Sequence, residues 1–165
     1  MIIPWKDSLI KMSLEELKPI DETSIPVGNL IAMIAKGQQI YLNHHLGNMG
    51  INATQLHLLF EISNQCDINQ EKISQRCNIN KGAVARSIKK LEDNGLVIRQ
   101  IDENNRRQNK VSLTKLGEET LDNSIKILNR WEDEVILEKG YIEKELLQKV
   151  LKEIAIRTME LNKRD

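Results

Sequence analysis

A mainly α fold with a small β wing is predicted by three observations. Apolar residues recur at helical spacing over most of the 165 residues, side chains able to cap a helix (Asn52, Asn69, Asn80, Thr114) stand before four of those runs, and only 96–113 reads as strand. Composition agrees, since Leu, Ile, Lys and Glu dominate and these residues suit helices. At about 150 residues per domain, the length allows one compact unit plus extras.

In chain order, residues 1–26 hold all three prolines (Pro4, Pro19, Pro26) and a short amphipathic stretch at 13–17, which predicts an N-terminal arm with one or two helical turns. From Val27, the residues Leu30, Ile31, Ile34, Tyr41, Leu42 and His45 mark a first long helix, which Gly47 and Gly50 end. Asn52 followed by Gln55 forms a capping box for a second helix with the inner face Leu56, Leu59, Phe60 and Ile62, ending near Asn64. Asn69 caps a short third helix carrying Ile73. Cys77 and Asn78 break it and Asn80 caps a fourth, so a tight helix-turn-helix results. The fourth helix buries Val84, Ile88 and Leu91 at i, i+4 and i+7 and closes at Asn94-Gly95, which leaves Lys81, Ala85, Arg86, Lys89 and Lys90 to its other faces. Residues 96–101 and 110–113 read as two strands around a long polar tip at 102–109, a wing. Thr114 then caps a long helix with Leu116, Leu121, Ile125, Leu128, Trp131 and Val135, and Gly140 separates it from a last helix over 142–161.

With 40% hydrophobic and 29% charged residues, neither a disordered chain nor a multi-span membrane protein fits. No run of 18 apolar residues appears, and the first residues lack the basic and apolar regions of an export signal. Cys66 and Cys77 make neither a disulfide framework nor a CxxC pair, so the expectation is a soluble, cytoplasmic protein. Five aromatics (Trp5, Tyr41, Phe60, Trp131, Tyr141) are few for single-strand binding by base stacking. Formal net charge is zero, yet 69–115 holds eleven Lys and Arg against five Asp and Glu, a net +6 that leaves −6 on the remainder. A basic lobe beside an acidic body is what a phosphate-facing lobe requires. No Ser-His-Asp order, paired carboxylates with a cleft, or glycine-rich phosphate loop stands out, so an enzyme is not expected.

The strings INKGAVARSIKKLEDNGLV and IDENNRRQNKVSLTKLGEE, preceded by Asn69-Gln70, resemble the MarR-type winged helix-turn-helix regulators. The motif match runs from about residue 51 to 119, and the flanking helices have the order and length that this family uses to dimerise. The resemblance implies a winged helix-turn-helix DNA-binding domain at 51–114, a helical dimerisation region at 27–50 and 115–165, and an arm at 1–26. The implied function is a sequence-specific regulator of transcription, a repressor, which binds double-stranded DNA as a homodimer. The apolar content of the first and last two helices supports the dimer independently, since a lone small winged helix does not need it. A two-fold dimer reads a pseudo-palindromic operator with half-sites about 10 base pairs apart, or a multiple of that.

By the same resemblance, the fourth helix enters the major groove with Asn80, Lys81, Gly82, Ala83, Ala85 and Arg86 on its leading edge, followed by Lys89 and Lys90. Arg86 is the expected base reader, able to pair with guanine O6 and N7. Family members often carry Ser or Thr where this chain has Gly82, Ala83 and Ala85, so hydroxyl contacts are missing. The wing follows the family's Asp-x-x-Asp-Arg-Arg pattern as Asp102, Asn105, Arg106 and Arg107, with Asn105 in the second acidic place. One arginine is then held by Asp102, and Arg107 reaches the minor groove, where narrow A·T tracts attract guanidinium.

Family members are commonly released from DNA by a small phenolic or anionic effector in a crevice between the dimer and DNA-binding lobes; Tyr41, His45 and Trp131 are the candidate lining here. No cofactor or metal is expected. Three alternatives stand beside this reading. His57 and Glu61, at i and i+4, with His44 and His45, offer a metal-sensing site. Cys66 and Cys77 offer an oxidant sensor. A winged helix kept for protein contact, with DNA binding lost, is the third, marked by an acidic rather than a basic recognition face.

Overall fold

The computed structural model describes residues 13–65, 68–102, 105–137 and 143–163; the side chains of 102, 105–108 and 137 lie outside that description. The chain divides into two compact units, 1–124 and 125–165.

In the first unit, Ser13 and Glu16 make a capping box for the single turn α1 (Leu14–Leu17), and Glu22–Ser24 adds a 3-10 turn. Helix α2 (Val27–Leu46) starts behind Pro26 and buries Leu42 and Leu46 near its C-terminal end. A 3-10 turn over Gly47–Met49 follows, and Gly50 closes it at φ 71°, a left-handed conformation that glycine adopts without a Cβ penalty. The Asn52–Gln55 capping box then starts α3 (Ala53–Asn64), with hydrogen bonds of 2.9 and 3.1 Å.

Helix α3 packs against α2, against the helix-turn-helix and against the sheet. It therefore buries a wider face than a surface helix does: Gln55, Leu56, Leu58, Leu59 and Ile62 are all buried. Phe60, expected inside, is only half-buried, and Leu58 takes the inner place. Helices α4 (Gln70–Cys77) and α5 (Lys81–Asp93) lie where the caps predict, with Ile73, Val84, Ile88 and Leu91 fully buried.

The sheet has three strands in the order β1-β3-β2, all antiparallel. Strand β1 (Ile68–Asn69) has no sequence signal; it exists because Ile68 pairs opposite Val111 of β3. The wing corrects the expected long polar tip. Strands β2 (Val97–Asp102) and β3 (Asn105–Leu113) pair regularly from Val97↔Leu113 to Ile101↔Asn109, then shift register so that Asp102 pairs with Asn105. Three residues, 106–108, thus intervene on β3 where β2 has none, a bulge. Backbone pairing does not depend on apolar side chains, so a polar hairpin arm can be strand without reading as one. Residues 103 and 104 lie outside the described residues.

Helix α6 (Lys115–Glu132) begins in the first unit and ends in the second. Thr114 Oγ1 accepts the Gly117 N–H at 3.0 Å, the expected cap. Gly117 is forced by close approach, because a Cβ there would lie 2.0 Å from the Leu96 carbonyl oxygen. Thr120, Leu121 and Ser124 are buried behind it, whereas Leu116 is 52% exposed. In the second unit, α6 ends at Glu132 and a π-helical turn covers Asp133–Leu137, with Val135 exposed. Helix α7 (Lys144–Leu161) starts behind Glu143; the expected start at 142 lies outside the described residues. Lys144 meets Glu132 at 3.2 Å, and Leu146, Val150, Ile154 and Leu161 of α7 are exposed.

Gly117→Ala tests the junction. Helix propensity alone favours alanine by about 1 kcal/mol, so a loss of stability isolates the steric conflict. We expect a net loss of about 1–3 kcal/mol, read as a thermal midpoint lower by about 2–10 °C.

Candidate nucleic-acid interface

Two asparagines and a serine fix the helix-turn-helix. Asn69 Oδ1 accepts the Lys72 N–H at 2.8 Å, and Asn80 Oδ1 accepts the Ala83 N–H at 2.8 Å, which caps α4 and α5 in turn. Between them, Asn78 sits at φ 51°, a left-handed position that asparagine tolerates better than most residues. Ser74 Oγ donates to the Ile79 carbonyl at 2.6 Å, and the Ile79 N–H donates back to the Ser74 carbonyl at 3.1 Å. With Val84, Ile88 and Leu91 locked in the core, Lys81, Gly82, Ala85, Arg86, Lys89 and Lys90 are all exposed together with the cap Asn80, while Ala83 is half-buried.

Carboxylates hold part of this basic surface. Glu71 in the first turn of α4 accepts from Lys81 Nζ at 2.6 Å, and Asp93 accepts from Lys89 Nζ at 2.6 Å. The hydrogen bond from Lys81, with its charge, keeps the Glu71 carboxyl below its ordinary value; the hydrogen bond to Asp93 raises Lys89. Behind the surface, Glu61 of α3 holds Arg76, and Glu92 holds Arg99 of β2 at 2.5 Å. Among the described residues, no carboxylate holds Lys72, Arg86 or Lys90. The Arg86 guanidinium lies back over the first turn, with Nη1 3.5 Å from where a Cβ on Gly82 would stand.

Arg106 and Arg107 fall in the β3 bulge and Asp102 and Asn105 pair beside it, but their side chains lie outside the described residues, as does the ion pair expected for Asp102. Tyr41 and His45 of α2 meet, with ring centroids 4.2 Å apart and tilted by 44°, and His44 stands edge-on to His45 at 5.1 Å. Trp131 belongs to the second unit and is half-buried. His57 is exposed, and its partner in the metal alternative, Glu61, is taken by Arg76. Among the described residues, no group of three or more His, Cys, Asp or Glu is placed to hold a metal. Cys77 is half-buried, and burial together with the nearby Glu61 charge pushes its thiol up; Cys66 lies outside the described residues.

Sequence reasoning missed Glu71, Ser74 and Gly117. Gly117 had a signal, since a glycine inside a helical pattern usually has a packing reason. The Glu71–Lys81 pair had none, because its ten-residue separation crosses the turn between two helices.

A capped helix-turn-helix whose second helix turns a basic face outward, followed by a paired wing, defines a winged helix-turn-helix protein. The MarR family profile matches residues 51–108. The uncharacterised HTH-type transcriptional regulator YdgJ of Bacillus subtilis is 32% identical over 102 residues, 62% of this chain, and the chain spans only 62% of that regulator's length. A MarR transcriptional regulator from Methanosarcina mazei Go1 superposes with a TM-score of 0.72 at 30% identity, covering 84% of this chain and 98% of that one. MepR of S. aureus, in its complex with DNA, shares the fold at 17% identity with a TM-score of 0.71, covering 82% of this chain and 98% of its own. The chain belongs to the MarR family of transcriptional regulators.

Two titrations check the electrostatics. Because its folded value is depressed, the Glu71 pair contributes stability above the ordinary glutamate range, and this is lost as pH falls through the folded value. Carboxyl carbon NMR should therefore find the Glu71 midpoint below that of a free glutamate, and Lys81→Gln should bring it back up. For Cys77, the raised thiol predicts alkylation at pH 7 slower than that of an unperturbed thiol and rising with pH, read by site-resolved mass spectrometry.

Proposed function

We propose that the chain is a sequence-specific regulator that binds double-stranded DNA as a homodimer and represses transcription. The exposed basic face of α5 carries this reading: Arg86 is long, charged and unclaimed by any described carboxylate, on a helix whose opposite edge is fixed in the core. An arginine so placed can pair with a guanine edge in the major groove, and Lys89 and Lys90 flank it for phosphate. The DNA-bound MepR, of the same fold, supports the choice of partner. The bulge at 106–108 is the kind of feature that re-aims side chains, which supports Arg107 as a minor-groove contact. Residues 51–114 form the DNA-binding domain in this reading, and 27–50 with 115–165 the dimerisation region. Exposed Val27, Ile31, Ile34 and Ile40 on α2 and Leu146, Val150 and Ile154 on α7 support a second copy of the chain as partner. A small phenolic or anionic effector belongs to the same proposal, supported by the neighbouring Tyr41 and His45 rings; Trp131 is the third residue the sequence offers for it. Membership of a regulator family points away from an enzyme. No described helix is long and apolar enough to cross a membrane.

The test is binding to the DNA upstream of the protein's own gene across a salt series, with wild type, Arg86→Ala and Arg107→Ala. We expect one dimer per site and a log-log salt slope of about −7 to −9, from four or five phosphates per protomer. Arg86→Ala should weaken operator binding by about tenfold or more and leave random DNA little changed. Absent or salt-insensitive binding would instead favour a winged helix used for protein contact.

A further inference from the structure

Glu71 is an anion set within the cationic surface. It stands in the first turn of α4, where the helix dipole favours a carboxylate, and reaches across to the first residue of α5. Its Oε1 lies 2.6 Å from Lys81 Nζ, and both side chains remain open to solvent, 50% and 72% exposed. The Lys89–Asp93 pair differs, because it lies along one helix at i, i+4 near the C-terminal end of α5. Among the described ion pairs, Glu71–Lys81 alone joins the two helices, at the end where a recognition helix meets its DNA.

Resting on the DNA-binding reading, we propose that Glu71 is an internal stand-in for a DNA phosphate: it holds Lys81 in the free protein, competes with the backbone for it, and so sets the affinity for all DNA below what the basic surface alone would give. The chemistry is an exchange of one anionic oxygen partner for another on the same ammonium. When DNA arrives, Lys81 must leave Glu71, and the released carboxylate then stands beside phosphates that repel it. Both effects are independent of sequence, because phosphate contacts carry no base information. Both also reduce the number of counterions released, since the carboxylate already neutralises one cation. Arg86, which no described carboxylate holds, keeps its full discrimination.

Glu71→Gln removes the charge while keeping the length and a hydrogen-bonding oxygen. An exposed ion pair shifts an equilibrium by about two- to fivefold, so a dimer engaging two half-sites should gain about four- to twenty-fivefold. The salt slope should steepen by about 0.9 per protomer, or nearly two per dimer. The experiment compares full-length wild type, Glu71→Gln, Lys81→Gln and the double variant. Each is titrated by fluorescence polarisation with a duplex from upstream of the gene and with a random duplex of equal length. The proposal expects Glu71→Gln to tighten both duplexes by a similar factor, and the share of that gain that comes from freeing Lys81 to vanish in the Lys81→Gln background. Unchanged affinity and slope in Glu71→Gln would overturn it. So would an undiminished gain without Lys81, which would make Glu71 a simple repeller of DNA. Wild type binding neither duplex would instead remove the DNA-binding reading itself.

Discussion

The passage of α6 past the Leu96 carbonyl, too close for any side chain at Gly117, is the constraint on which the geometry of the basic surface depends. The ends of four elements, α5, β2, β3 and α6, meet there. The Leu96 N–H bonds to the Leu91 carbonyl at 2.9 Å as α5 ends, and the Leu96 carbonyl takes the Thr114 N–H at 3.0 Å as β3 ends. Thr114 Oγ1 donates to the Gly95 carbonyl at 2.6 Å and accepts from Gly117 at 3.0 Å. The last turn of α5, the root of the wing and the first turn of α6 are therefore one hydrogen-bonded junction. Asn94 ties it to the Gly50 carbonyl at 3.1 Å, and the Arg99–Glu92 pair ties β2 back to α5. The proposed reading of half-sites at a fixed spacing would need this, because an angular error in a recognition helix displaces every base contact at once.

The charge on that framework is smaller than a residue count suggests. Of the eleven basic side chains in 69–115, Arg76, Lys81, Lys89 and Arg99 each hold a carboxylate; among the described residues, none holds Lys72, Arg86 or Lys90 of the two helices. The four pairs divide by position. Arg76–Glu61 joins α4 to α3, and Arg99–Glu92 joins β2 to α5. Lys81–Glu71 and Lys89–Asp93 lie on it and moderate its field. Exposed pairs add little to stability, so the surface pairs matter chiefly through what they do to an approaching polyanion.

The helical part of the fold was legible because its punctuation is chemical: Asn52, Asn69, Asn80 and Thr114 each cap the helix they precede, and the apolar spacing of α5 names its buried edge correctly. What was not legible depends on partners distant in sequence. Strand β1 exists through β3, Leu58 displaces Phe60 because α3 is covered on several sides, and the polar start of β3 is placed by its backbone pairing to β2. The same division runs through the candidate site. The outward-facing residues of α5 follow from periodicity, but the carboxylates that claim two of them follow from geometry between helices and from helix-surface pairing that periodicity does not rank.

The leading edge of α5 is sparse in a way that gives these pairs weight. The side chains of Gly82 and Ala85 offer no hydrogen bond, and the Arg86 guanidinium folds back over the first turn, 3.5 Å from where a Cβ on Gly82 would stand. In the proposed reading, base discrimination on this helix falls largely to Arg86, which would have to swing out to read, while the lysines around it would supply attraction that is blind to sequence. With so few reading contacts, every lysine left free would raise binding to any duplex without raising the preference for one. On that reading, neutralising lysines by neighbouring carboxylates, while no described carboxylate claims Arg86, would lower the blind part of the interaction and keep the selective part. The distribution of carboxylates around α5 would then be as much a part of its recognition chemistry as the arginine itself.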